Sequence, residues 1–215
     1  MSSRLKWKLA QRYEKAWWKK YLRGNTKEYL EFKRTYWLNI MKILSADFAE
    51  NKAVLDVGCG PSGIFMVLDR SQVTAIDPLI ENYEDELPVF SKNKYSWVQF
   101  LPTKIEEFEP EQTYDFIFCM NSINHFDNLT LTLHKLSGMM KKEGKLIISI
   151  DVHNYTFFKY FIRFSGIDVM HPYQLSLSDY SKLLAKEGFV IKKETILIKR
   201  FIFNHLLLIV EKAIT

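Results

Sequence analysis

Cysteine is scarce in this chain. Cys59 and Cys119 are too few for a disulfide framework in 215 residues, and both read as small buried residues of a reducing compartment. Cysteine and histidine nowhere adopt a metal-ligand spacing, so no metal is expected. A long apolar run is missing too. The most apolar stretch, 196–210, is interrupted by Lys199, Arg200, Asn204 and His205, which excludes a membrane-spanning helix and favours two antiparallel strands. The N-terminus is basic but has no apolar core behind it, so a secretory signal is not expected and the cytoplasm is the expected compartment. Internal repeats and low-complexity linkers are absent.

What is present is an ordinary globular composition, with length enough for one buried α/β domain and an appended cap. The net charge of +5 is concentrated at one end: residues 1–24 hold eight basic side chains against Glu14 alone, which leaves the remainder slightly acidic. Helices are expected over 3–23 and 26–48. In the second, Tyr29, Phe32, Tyr36, Ile40, Ile43 or Leu44, and Phe48 form an apolar stripe, and Thr26 is a candidate N-cap. Alternation of strands and helices after Ala53 argues for a parallel sheet. The expected strands lie near 53–57, 72–77, 95–99, 115–119, 144–150, 189–198 and 201–211. The expected helices lie near 62–70, 129–141 and 177–187, with a short helix and loop between Leu79 and Lys94.

The motif with most chemical content is Val54-Leu55-Asp56-Val57-Gly58-Cys59-Gly60-Pro61-Ser62-Gly63, read as a buried strand entering a glycine loop that opens a helix. Glycines 58, 60 and 63 complete a G-x-G-x-x-G spacing that dinucleotide enzymes share. Asp56 separates the two cases. A carboxylate there repels a pyrophosphate and suits a nucleoside bearing positive charge. S-adenosylmethionine (SAM), with a sulfonium and an α-ammonium group, fits that description. Asp77, 21 residues after Asp56 at the end of the next expected strand, is placed to accept both ribose hydroxyl protons.

With these motifs in order, the chain resembles the class I SAM-dependent methyltransferases, in particular the small-molecule type 11 branch. The matching pieces are Asp56-Val57-Gly58-Cys59-Gly60, Asp77, the run from Tyr114 to Phe126, Lys142 to Ile148, His171 to Ser176, and Glu187-Gly188-Phe189. The resemblance implies a Rossmann-like α/β fold: a seven-stranded, mostly parallel sheet of order 3-2-1-4-5-7-6 with helices on both faces. It also implies a helical cap over 1–50 ahead of a SAM-binding domain over 51–215. The implied reaction is in-line methyl transfer from SAM to an oxygen or nitrogen of a small molecule, leaving S-adenosylhomocysteine and needing no metal.

The resemblance implies cofactor contacts from Asp56, Gly58, Cys59, Gly60, Asp77, Pro78, Thr103, Met120 and Asn121. It makes His125 and His153 candidate catalytic groups. The family usually carries an acid after its third strand to read adenine; here that loop offers Thr103 instead. The aromatic run from Tyr155 to Phe164 suggests a lid, an acceptor pocket or an oligomer surface. Two alternatives stand beside the leading one. The basic leader with its tryptophans suits a nucleic-acid (RNA) methyltransferase, although the Cys119-Met120-Asn121-Ser122 stretch lacks the motifs of base methylases. The other is a non-catalytic SAM-binding partner protein.

Overall fold

The computed structural model describes residues 26–44, 50–153, 175–200 and 203–213. The expected helix over 3–23, the aromatic run 155–164, Phe48 and the segment from His171 to Tyr173 lie outside the described residues. The described chain begins with helix α1 (Thr26–Leu44). Strands β1 (Ala53–Val57) and β2 (Gln72–Ile76) precede helix α2 (Ile80–Glu86). Strands β3 (Val98–Leu101) and β4 (Tyr114–Met120), helix α3 (Leu129–Met139) and strand β5 (Met140–His153) follow. Helix α4 (Leu177–Lys186) and strands β6 (Phe189–Lys199) and β7 (Phe203–Lys212) complete it.

One seven-stranded sheet has the order β3-β2-β1-β4-β5-β7-β6, as the resemblance implies. β1, β2, β3, β4 and β5 pair in parallel, and β7 runs antiparallel to both β5 and β6. Alternation along each strand sorts side chains onto two faces. Leu55, Ile117, Ile148 and Leu208 meet Leu133 and Leu136 of α3 and Tyr180 and Leu184 of α4 on one face. Val54, Phe118, Ile147, Leu207 and Ile209 meet Trp37, Ile40 and Leu44 of α1 and Ile80 and Tyr83 of α2 on the other. Both faces are covered, so the central strands are mostly apolar, as parallel sheets require, with Asp56, Thr74 and Ser149 as buried polar exceptions.

Five expectations need correction. The helix expected over 62–70 is replaced by 3-10 turns at Gly60–Ser62 and Ile64–Val67, joined by an extended Gly63. The carbonyls such a helix would engage are taken by side chains from elsewhere. Trp37 Nε1 donates to Ser62 O at 2.8 Å, Trp97 Nε1 to Phe65 O at 3.0 Å, and Arg34 Nη1 to Met66 O at 3.2 Å. The stripe on α1 is rotated, because Trp37 is buried at that bond while Phe32 is 61% exposed. Thr26 is the first residue of α1 and does not precede it. β3 begins three residues later than expected, since a 3-10 turn at Lys92–Lys94 precedes it, and β5 begins four residues earlier, because Met140 pairs with Tyr114 before a register shift.

Candidate active site

Ligands of such sheets bind beyond the carboxyl ends of the strands, where strand order reverses. Here the reversal lies between β1 and β4, and the rim holds the glycine loop, Asp77, Met120 and Asn121.

The glycine loop is shaped by contacts that only glycine permits at two positions. Gly58 has φ +65, and a Cβ there would lie 2.5 Å from Ser122 Cβ. Gly63 has an ordinary φ, but a Cβ on it would lie 2.5 Å from Cys59 O and 2.6 Å from Asp56 Oδ2. Ser122 Oγ donates to Val57 O at 2.7 Å, which ties the end of β4 to the end of β1. The first three loop amides turn inward. Gly58 N and Cys59 N donate to Ile76 O, and Gly60 N donates to Asp77 Oδ2 at 3.0 Å. A diphosphate needs such amides facing outward from a helix start. This loop presents neither the amides nor the helix.

The two carboxylates flank it from within. Asp56 shares the strand face of Val54 and is 1% exposed beneath the loop, where its Oδ2 accepts from Phe65 N at 3.4 Å. Burial lifts its pKa to about 7; the amides of Phe65 and Ile64 and the nearby Lys33 oppose that rise, and Asp77 adds to it. Asp77 is also buried, and its Oδ1 accepts from Leu79 N at 2.9 Å, a side-chain turn that leads into α2. Both acids therefore brace the loop.

α1 closes over this region. Tyr29 OH lies 2.6 Å from Ser62 Oγ, and Trp37 reaches Ser62 O. Lys33 Nζ sits 4.9 Å from the Trp37 ring centroid and 5.5 Å from that of Tyr36. Burial lowers its pKa to about 8, against the pull of Asp56. The Lys33 cation therefore packs on the aromatic faces of α1 itself.

The other expected residues are distributed along the rim. Met120 is buried in register with Ser149. Asn121 is exposed with φ 57, a left-handed conformation uncommon for a non-glycine residue, and its N donates to Ser149 O at 3.1 Å. Cys59 and Cys119 are both buried, and burial raises their pKa. Pro78 is half-buried after β2, and Thr103 follows β3 with its hydroxyl on Lys104 O. His125 stands exposed on a 3-10 turn after β4, next to buried Asn124, whose Oδ1 accepts from Tyr180 OH. His153 ends β5 opposite Phe203; its side chain lies outside the described residues.

One cluster on the rim escaped the sequence reading. Asp151 of β5 and His205 of β7 are cross-strand partners on the face that α1 covers. His205 Nδ1 lies 2.8 Å from Asp151 Oδ1, and Tyr36 OH lies 3.2 Å from His205 Nε2. Strand alternation placed both polar residues on one face, but their register depends on an antiparallel pairing no local motif announces. No group of three or more His, Cys, Asp or Glu side chains able to hold a metal occurs among the described residues, and no described helix is long and apolar enough to cross a membrane. A cleft of about 360 Å³ lined by Gln99, Glu109 and Glu111 lies toward the start of β4, away from this rim.

Strand order, the switch point and the acid-flanked glycine loop together define the class I SAM-dependent methyltransferase fold. The chain belongs to the methyltransferase domain family, which matches residues 29–194. Over 98 residues it is 36% identical to the ubiquinone biosynthesis O-methyltransferase of Rickettsia felis, covering 45% of this chain and 40% of that one. The chain thus spans about two-fifths of the length of the curated relatives it matches. The 1,6-didemethyltoxoflavin-N1-methyltransferase of Burkholderia thailandensis, solved with 1,6-didemethyltoxoflavin and S-adenosylhomocysteine, superposes with a TM-score of 0.69 at 15% identity, covering 99% of this chain and 92% of that one. A methyltransferase from Bacillus halodurans superposes with a TM-score of 0.66 at 15% identity, covering 83% of this chain and 99% of that one.

Proposed function

We propose that this protein transfers a methyl group from SAM to an oxygen or nitrogen of a small-molecule acceptor. The observation that carries the reading is the glycine loop, with its amides turned inward between two buried carboxylates. Such a loop repels a diphosphate and attracts a cationic nucleoside. The O-methyltransferase named among its relatives and the S-adenosylhomocysteine held by a structural neighbour support the same reading.

The residues present fit SAM. When bound, SAM supplies an activated methyl whose departure leaves a neutral thioether. Asp56 faces its ammonium, directly or through water, and Asp77 turns one oxygen to the ribose hydroxyls in exchange for Gly60 N. Gly58, Cys59 and Gly60 offer close backbone approach, Pro78 and Thr103 border the adenosine, and Met120 and Asn121 line the sulfur side. Residues 1–50 act as a cap over 51–215, with the N-terminal half of α1 excluding water from the transfer. Alignment in a dry pocket can supply about 7–11 kcal/mol of the barrier. The cytoplasm is the proposed location, and the proposed partner is a small-molecule acceptor.

Isothermal titration calorimetry with SAM and S-adenosylhomocysteine tests this. Both should bind the wild-type protein, NADH should not, and Asp77→Asn should weaken binding at least tenfold. Binding of NADH in place of SAM, or SAM affinity unchanged in both Asp77→Asn and Gly60→Val, removes the assignment.

A further inference from the structure

We propose that His205, held in its working tautomer by Asp151, is the general base for a hydroxyl acceptor and takes the proton through the Tyr36 phenol. This rests on the methyltransferase reading above and adds to it the acceptor class and the group that takes the proton.

The geometry comes from three separated parts of the chain. Asp151 and His205 face each other across the β5–β7 pair, with His205 Nδ1 2.8 Å from Asp151 Oδ1. A carboxylate only accepts hydrogen bonds, so in the neutral imidazole the proton sits on Nδ1 and Nε2 carries the lone pair. Tyr36 OH, 3.2 Å from Nε2, is then the donor to that lone pair. Burial, with the charge of Asp151, pushes the Tyr36 pKa up to about 12, so the phenol keeps its proton at neutral pH and stands between Nε2 and an entering hydroxyl. The position is apt. Asp151 lies two residues beyond Ser149, which pairs with Met120 and receives Asn121 N. The imidazole is therefore on the rim beside the sulfur-lining residues, on the α1 face that also holds Asp56 and Lys33. The Asp151 side chain is 44% exposed and that of His205 12%, so entering molecules reach the carboxylate edge of the dyad while the imidazole is shielded.

The step balances. The acceptor O–H bond breaks and its proton goes to the Tyr36 oxygen as the Tyr36 proton passes to His205 Nε2. The oxygen pair forms the new O–CH3 bond, and the S–CH3 pair returns to sulfur. Positive charge leaves the sulfonium and appears on the imidazolium, where Asp151 faces it. Proton removal of this kind is worth about 10²–10⁴-fold in rate.

The test uses the full chain and 4-nitrocatechol, whose visible absorbance reports ionisation of its bound hydroxyl. With S-adenosylhomocysteine present, the wild-type protein should shift the bound probe toward the phenolate spectrum at pH 6.5. His205→Gln and Asp151→Asn should abolish and reduce that shift. S-adenosylhomocysteine affinity by calorimetry should stay within threefold in both variants. With SAM, His205→Gln should lower kcat for catechol, whose hydroxyl stays protonated without a base, at least 100-fold with KM for SAM unchanged. The same variant should lose less than threefold toward thiophenol, which is already ionised and needs no base. Added imidazole should restore part of the His205→Gly rate. Equal losses on the phenol and thiophenol, an unchanged probe spectrum in His205→Gln, or wild-type protein that binds SAM yet methylates neither probe overturns the base. Failure to bind SAM overturns instead the reading beneath it.

Discussion

The two halves of the rim are built on opposite plans. On the β1–β2 side, the interactions are local: Asp56 holds Phe65 N, and Asp77 holds Gly60 N and Leu79 N, all within 17 residues of their acids. On the β5–β7 side, Tyr36, Asp151 and His205 converge from positions as far as 169 residues apart. A cofactor shared by many proteins is held by a short motif that can be carried whole from chain to chain. A particular acceptor is met by whatever the long-range pairing places nearby.

That comparison is broken most severely at the turn that ties β1 to the end of β4. Gly58→Val puts a β-branched side chain at a positive φ and on top of Ser122 Cβ. The combined strain and overlap should cost about 4 kcal/mol or more, read as a lowered urea midpoint.

The next effect is confined to the local side and depends on pH. The folded Asp56 pKa of about 7 stands above its unfolded value of about 4, so the native state holds a proton the unfolded chain has released. The stability tied to that proton is complete below about pH 4 and is lost as pH rises through about 7. Asp56→Asn, which does not titrate, should remove this decline, on the order of 4 kcal/mol, in denaturant melts at successive pH values. SAM affinity of the wild-type protein should rise with pH up to about 7, since the ionised carboxylate is the form that holds a cation. A flat affinity would separate Asp56 from the ammonium.

A smaller effect tests the contact that joins α1 to the loop. Trp37→Phe leaves Ser62 O without its buried donor and should cost about 1–3 kcal/mol while also weakening SAM binding. The smallest is on the outer face of the same helix. Phe32→Ser should change stability by no more than about 0.5 kcal/mol, despite the place of Phe32 in the apparent stripe.

Much of this architecture was legible because it is written in local patterns. Apolar runs flanked by Gly, Asp and Asn located most of the strands, and Ser176 with Asp179 forms the capping box that starts α4. Where the reading went astray, a distant side chain had intervened. The segment 62–70 has apolar residues enough for a helix, yet Trp37, Trp97 and Arg34 occupy carbonyls within it. Phe32 follows helical spacing as well as Tyr36 does, yet the bond from Trp37 decides which side of α1 turns inward. Lys33 carries no motif; only its placement beneath the loop, near Asp56, gives it meaning.

By itself, the order of residues determined the strand-by-strand alternation, the acid-flanked glycine loop and hence the family, because each depends on neighbours within a few turns of chain. Tertiary structure alone decided that Asp56 lies fully buried, that three indole and guanidinium donors unwind the expected helix, and that Asp151 meets His205. Those outcomes depend on register between strands and on how a helix rolls against a sheet, and both are set by packing summed over the whole fold.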